Sequence, residues 1–139
     1  MFALMISLFA AGAAAGTDKD DCSGDTTYEL NDCAAKQLEA SEARLQKYQR
    51  AAIDRYSGEE DENAAVVLGI KASSEAFAAY RSIECRTVYE DYKQGTIRTL
   101  MSLGCQISLT DQRTHTIWSN WIQNMDSTPP ILPEPQPTE

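Results

Sequence analysis

The stretch FAAYRSIEC runs from Phe77 to Cys85, and its sequel LGCQISLTDQR runs from Leu103 to Arg113. Each contains one cysteine and one arginine among apolar residues, a composition that suits a structural contact between helices. The spacing predicts that the first stretch lies near the end of a long helix and that the second belongs to the helical segments that follow. We therefore expect the two stretches to hold the fold together.

Two long helices are predicted before and through the first stretch. The first begins near Thr26, which has capping-box spacing with Glu29, and a three-and-four apolar period carries it to about Tyr56. The second starts in the acidic segment after Ser57 and runs to about Lys93. Because the connection between them is very short, the two helices should be antiparallel neighbours.

A third helical region follows. The sequence predicts a short apolar segment that Gly104 ends, and then a last helix that Ser108 and Asp111 can cap and that runs to about Met125. No segment has a strand period longer than a few residues. The predicted fold class is all-α: a small disulfide-stapled helical bundle, built on a long antiparallel helix hairpin plus a third helix, over residues 27–125.

The two ends of the chain differ from this helical domain. Residues 1–15 are uncharged, apolar and finally small, which predicts a cleaved signal peptide, and residues 16–26 form a polar lead-in segment. All five prolines lie in residues 126–139, so the composition predicts a tail that is disordered or polyproline-like. With no lipidation site near the signal, we expect a periplasmic or secreted protein without a stable membrane anchor.

Four cysteines in a small exported chain indicate two disulfides. Cys33 and Cys85 should differ in height along the hairpin by only about 6 Å, so the cysteines gather at one end and all three connectivities stay open. We favour Cys22–Cys33, which attaches the lead-in segment to the first helix, and Cys85–Cys105, which closes the loop after the second. The cysteines are not spaced as zinc ligands and His115 is the only histidine, so neither a metal nor another cofactor is expected.

The formal net charge of −9, from 21 acidic and 12 basic side chains, restricts the class of partner. We expect no nucleic-acid partner, because phosphate binding needs a basic patch, whereas an anionic surface is steered towards basic proteins. Glu59, Glu60, Asp61 and Glu62 form a contiguous acidic run, which suits a helix start better than the opposed carboxylates of a glycosidase. No general base with an oriented partner is visible, so we expect no enzymatic activity.

Further polar and aromatic residues are candidates for structure or for partner contact. Tyr80, Arg81, Glu84 and Arg113 are predicted to form a structural polar cluster that fixes helix register; the alternative is a contact site for acidic groups of a partner. Tyr48 and Tyr80 should pack between helices, and His115 should lie on the surface.

Trp118 and Trp121 are spaced by three residues and flanked by isoleucines. They either cap the core of the bundle or present an anchor patch to a protein partner.

Several short motifs together resemble the LprI-like domain of bacterial envelope proteins, a family named for a lysozyme inhibitor. The motifs are Glu29-Leu30-Asn31-x-Cys33, Leu45-x-x-Tyr48, Tyr80-Arg81-x-x-Glu84-Cys85, and Cys105 with Leu109-Thr110-x-x-Arg113. The resemblance covers about residues 22–122. The chain departs from the usual family pattern at five polar or aromatic positions, Ser41, Gln46, Ser74, Phe77 and Ser82.

The resemblance implies a non-enzymatic binding module whose candidate partner is a basic lysozyme. We expect the contact to include the acidic run from Glu59 to Glu62. The alternative is a structural or adaptor module of the cell envelope with a protein partner unrelated to lysozyme, anchored through Trp118, Trp121 and the proline-rich tail. The oligomeric state is left open by the sequence.

Overall fold

The computed structural model describes residues 22–58 and 63–138. These residues form three α-helices and a π-helical turn that continues the third helix: α1 (Thr27–Tyr56), α2 (Ala64–Asp91), α3 (Arg98–Ile117) and the π turn (Trp118–Ile122). No strand occurs among them, so the predicted all-α, disulfide-stapled bundle is confirmed. The predicted signal peptide, residues 1–15, lies outside the described residues. Of the helices described, none is long and apolar enough to cross a membrane.

Helix α1 follows the local signals in its sequence. The Thr26 hydroxyl accepts from the Glu29 amide at 3.2 Å, and the Glu29 carboxylate accepts from the Thr26 amide at 3.0 Å, so the capping box is complete. Five positions spaced by seven, four, three and four residues along the helix are buried: Ala34, Ser41, Leu45, Tyr48 and Ala52. The predicted first helix is therefore present from its cap to Tyr56.

Helix α3 lies between the other two helices and packs against both more extensively than they pack against each other. Its Asp111 accepts a hydrogen bond from Ser41 of α1 at 2.8 Å, and its Thr110 accepts one from Arg81 of α2 at 2.6 Å. Thr110 and Thr114 are fully buried, and each hydroxyl donates to the carbonyl four residues earlier. Because these side chains are small and satisfied, α3 can approach both neighbours closely.

The third helical region differs in detail from its prediction. Gly104 lies inside α3, where a Cβ atom would meet nothing within 4 Å, and Ser108 accepts from Gln112 within the helix instead of capping a new one. Glycine costs about 1 kcal/mol in a helix interior. The disulfide at Cys105 and the packing on both sides of α3 offset this cost. The helical region ends at Ile122 and not at Met125.

The two disulfides are Cys22–Cys33 and Cys85–Cys105, the pairing that the sequence favoured. Both lie at the same end of the bundle, since Ala34, beside Cys33, lines a cavity of about 600 Å³ together with Cys105. Each such closure typically adds about 2 to 4 kcal/mol to the free energy of unfolding. We call this end the disulfide end.

The apolar core lies in the opposite half of the bundle. Its buried members come from all three helices and the π turn: Leu45, Tyr48, Ala52, Ile70, Ile117 and Ile122. They are near the end of α1, the start of α2 and the end of α3. Covalent bonds therefore hold one half of the molecule, and apolar packing holds the other.

We expect Ile117→Ala to lower the free energy of unfolding by about 2 to 5 kcal/mol, because the side chain is fully buried and its removal leaves a cavity. Urea denaturation followed by circular dichroism measures this change. Ile131→Ala is the matched control, since Ile131 is 52% exposed, and its effect should stay below about 0.5 kcal/mol. Equal effects of the two substitutions would contradict this location of the core.

Candidate functional site

The end of the bundle opposite the disulfides, which we call the turn end, comprises residues 54–58, Asn63 and 121–128. Arg55 organises it: one guanidinium nitrogen donates to the carbonyls of Trp121 and Ile122, both at 3.1 Å, and the other donates to the Asn124 side chain at 2.7 Å. The last carbonyls of a helix have no partner within it and form its negative end. Arg55 therefore satisfies these carbonyls and holds the end of the π turn against α1.

The chain after the π turn is also held by side chains. Asn124 donates to the carbonyl of Pro129 at 3.0 Å, and the Asp126 carboxylate accepts from the Thr128 amide at 2.9 Å. Hydrogen bonds from Thr128 lower the pKa of Asp126, so this exposed carboxylate stays ionised at neutral and mildly acidic pH. Met125, between them, is fully exposed.

Negative charge is concentrated in the sequence of this end. Residues 54–62 contain five acidic side chains and one basic side chain, and they include the longest uninterrupted acidic run of the chain. Glu59, Glu60, Asp61 and Glu62 themselves lie outside the described residues. In the sequence they connect Gly58 to Asn63, both of which are described.

Both tryptophans contact the core at the π turn. The Trp118 indole donates to the carbonyl of Leu132 at 3.0 Å, and Trp121 meets the Tyr56 ring edge to face, with 6.0 Å between ring centroids. Both are half-buried and pack on the core cluster. The contact with the core that the capping role requires is therefore present, and the anchor-patch role stays a prediction.

The proline-rich tail, which its composition predicted to be disordered or polyproline-like, is packed against α1 and α3. The Tyr48 hydroxyl donates to the carbonyl of Pro133 at 2.7 Å, Leu132 packs on the core, and Asp111 accepts from the Thr138 amide at 2.6 Å. Arg44 also donates to the tail, at the Gln136 carbonyl and the Thr138 hydroxyl. An extended proline-rich chain leaves its carbonyls free to accept, and α1 and α3 supply the donors.

His115 lies on the surface, as the sequence predicted, and faces the tail. Its Nε2 atom is 3.1 Å from a carboxylate oxygen of Glu134. Its ring lies 5.6 Å from the ring of Trp118. Beside this part of the tail, between α1 and α3, is an open cavity of about 530 Å³.

The predicted polar cluster is present only in part. Arg81 forms an ion pair with Glu42 at 2.6 Å, and Arg113 donates to the Ser73 hydroxyl at 2.7 Å. Both guanidinium carbons lie within 6 Å of the centre of the Phe77 ring, at 5.8 and 5.9 Å, and burial lowers the pKa of Arg113. The arginines thus face the interior of the bundle, where they fix helix register.

Tyr80 and Glu84, the other two members of the predicted cluster, lie on the exposed side of α2. Tyr80 is 51% exposed, which corrects the expectation that it packs between helices. The partner of Arg81 is Glu42 on α1, which sequence spacing within α2 could not indicate. Only the packing of α1 against α2 brings these two side chains together.

We expect Tyr48→Phe to lower the free energy of unfolding by about 0.5 to 1.5 kcal/mol, because the Pro133 carbonyl loses its buried donor. Burial raises the pKa of Tyr48, so the fold favours the neutral phenol. Its contribution is present below the ordinary tyrosine pKa of about 10 and is lost as the pH rises through the raised value.

Absorbance titration at alkaline pH should show a late-ionising phenol that Tyr48→Phe removes. Tyr28→Phe is the control, because Tyr28 is 80% exposed, and it should leave both the late step and the stability unchanged. Loss of the late step in Tyr28→Phe would contradict the assignment.

Comparison with known proteins identifies the family of this chain. The family model described as "Lysozyme inhibitor LprI" matches residues 19–117, which include both disulfides and all of α1, α2 and α3. The π turn and the tail lie beyond the match. No curated protein and no solved structure matches the chain. Because the family model spans well over half of its length, the chain belongs to the LprI lysozyme inhibitor family.

Proposed function

We propose that this protein is an exported, non-enzymatic binding module that inhibits a basic lysozyme. Membership of the LprI family supports a lysozyme-inhibitor type of binding. The two disulfides suit an oxidising compartment such as the periplasm or the extracellular space. The net charge of −9 complements a cationic enzyme.

The acidic turn end is the observation that carries the proposal. The connection between α1 and α2 carries four consecutive acidic residues, and the helices on both sides of it are anchored in the apolar core. Arg55 holds the residues after the π turn at the same end, where Met125 is fully exposed. A charged segment on a rigid support can meet a partner without a large loss of conformational freedom.

The mechanism would be occlusion of the active-site cleft. Attraction between the acidic run and the cationic enzyme speeds the encounter and orients the module. A side chain of the turn end then enters the cleft and excludes substrate. A protein that blocks a cleft needs no catalytic residue of its own. This mechanism is therefore compatible with the expectation that the chain has no enzymatic activity.

The adaptor role, which the sequence left as an alternative, has less support. Its expected anchors were Trp118, Trp121 and the tail. Trp118 and Tyr48 bind tail carbonyls within the fold, and Trp121 contacts Tyr56. These groups would have to leave existing contacts before they could bind another protein.

Neutralising the acidic run tests the site. In an inhibition assay against a panel of basic lysozymes, E59Q/E60Q/D61N/E62Q should weaken inhibition by at least about tenfold at low salt. The difference from wild type should shrink as ionic strength rises from about 0.05 to 0.5 M, because salt screens exposed charges.

The matched control removes the same number of negative charges elsewhere on the surface. It is E39Q/E84Q/E90Q/D91N, four exposed residues of α1 and α2 outside the turn end. We expect a change of less than about threefold, from net charge alone. Equal effects of the two variants would contradict the turn end as the contact, and no inhibition of any lysozyme by micromolar wild type would contradict the function.

A further inference from the structure

The proline-rich tail turns every third residue towards the bundle. Within residues 132–138, three side chains are partly buried and the four between them are exposed. The partly buried ones are Leu132, Pro135 and Thr138. A polyproline II helix has three residues per turn, so it places residues with this spacing on one side. The stretch LPEPQPT therefore has the burial pattern of a polyproline II segment that lies in a groove.

The bundle binds this segment mainly through its backbone. Four side chains from α1, α3 and the π turn make these hydrogen bonds: Arg44, Tyr48, Asp111 and Trp118. Their partners are the carbonyls of residues 132, 133 and 136 and the amide of residue 138. We call the surface formed by these four side chains the tail groove. Since every extended segment has the same carbonyls, such recognition does not depend on one sequence.

Two side-chain contacts add selectivity to the tail groove. His115 of α3 lies 3.1 Å from the Glu134 carboxylate. The Thr138 hydroxyl accepts from Arg44 at 2.7 Å and donates to Asp111 at 3.3 Å. A segment in the groove is thus favoured by a carboxylate at the third position of the stretch and by a hydroxyl at the seventh.

The tail leaves part of the space beside it empty. The open cavity of about 530 Å³ between α1 and α3 is lined by Ile107 of α3 and by Pro135 and Pro137 of the tail. A segment with larger apolar side chains at these positions would bury more apolar surface than the tail does. Another segment can therefore compete with the tail for the same groove.

The core does not depend on the tail. The buried members of the core cluster belong to the three helices and the π turn, and Leu132 of the tail packs against them from outside. Departure of the tail would uncover the groove and leave these buried residues in contact with one another. The tail thus has the position of a replaceable ligand.

We propose that the tail groove is a binding site for an extended, proline-rich segment of a protein partner, and that the chain's own tail occupies this site as an internal competitor. The preferred ligand resembles LPEPQPT: an apolar residue, proline, an acidic residue and proline, with threonine or serine at the seventh position. The site contains no residue of the turn end, so it does not rest on the proposed inhibition of lysozyme.

The attachment of the tail sets the apparent affinity for an external ligand. A segment on a short flexible linker competes at an effective concentration of about 1 mM or more. An external ligand binds only the fraction of molecules whose groove is free, so its apparent dissociation constant is raised by the inverse of that fraction. Weakening the contacts of the tail should therefore strengthen the binding of an external ligand.

Fluorescence anisotropy of a labelled synthetic peptide, with the sequence of residues 128–139, tests this on the full-length protein. L132S/P135S removes two of the three groove-facing side chains of the tail and leaves the groove intact. It should bind the peptide at least about tenfold more tightly than wild type does. I131S/P133S is the matched control, with the same replacements at neighbouring exposed positions. Its affinity should stay within about threefold of wild type.

Changes in the peptide and in the groove give the reciprocal test. With the L132S/P135S protein, a peptide that carries the same two changes should bind at least about tenfold more weakly, and one with I131S/P133S within about threefold of the original. Adding Arg44→Gln to that protein should weaken binding of the original peptide about tenfold, because the carbonyl at position 136 loses a charged donor.

Circular dichroism checks that each variant keeps its helices. Pro135→Ser alone preserves the contact of Leu132 with the core and should give an intermediate gain, so it decides the outcome if L132S/P135S loses its helices. The proposal is overturned if the peptide at about 1 mM binds neither variant, if I131S/P133S gains as much as L132S/P135S, or if Arg44→Gln changes nothing. A wild type that is dimeric by sedimentation velocity, and monomeric in L132S/P135S, would overturn it in favour of tails exchanged between two copies.

Discussion

Arg81 joins the three helices at one point: from α2 it donates to Glu42 of α1 and to Thr110 of α3, both at 2.6 Å. An arginine can make these contacts at once because its donors are fixed in one plane. With the register set there, Cys85 lies one turn further along α2 and reaches Cys105, and Ser73 lies about two turns back and reaches Arg113. The half of the bundle that the disulfides hold and the half that contains the apolar core therefore depend on the same alignment of α2 with α3.

Local signals in the sequence predicted those parts of the fold that depend on neighbouring residues. The capping box and apolar period of α1 are of this kind, and so is the helical character of the third region. The continuity of α3 through Gly104 and the pairing of Arg81 with Glu42 depend on contacts between helices, so no local pattern indicated them. The contacts of the tail could not be predicted from its composition either, because Tyr48 and Arg44 of α1 supply the hydrogen-bond donors.

The surfaces of the molecule differ in what holds them and what covers them. The disulfide end is held by covalent bonds, and the tail covers the groove between α1 and α3. In the sequence, the connection between α1 and α2 contains the longest acidic run, and Leu68 and Ile83 of α2 are exposed. The family match ends at residue 117, so the π turn, the tail and their contacts with the core are features of this chain beyond the matched domain.

The central claim is that the turn end contacts a basic lysozyme. Titration of isotope-labelled protein with unlabelled enzyme, followed by amide chemical shifts, tests it most directly because each residue reports separately. The account predicts that residues 54–63 and 121–128 shift or broaden first, while amides near Cys33 and Cys105 stay unchanged. Changes confined to the disulfide end or to the exposed side of α2, or no change at all, would contradict it.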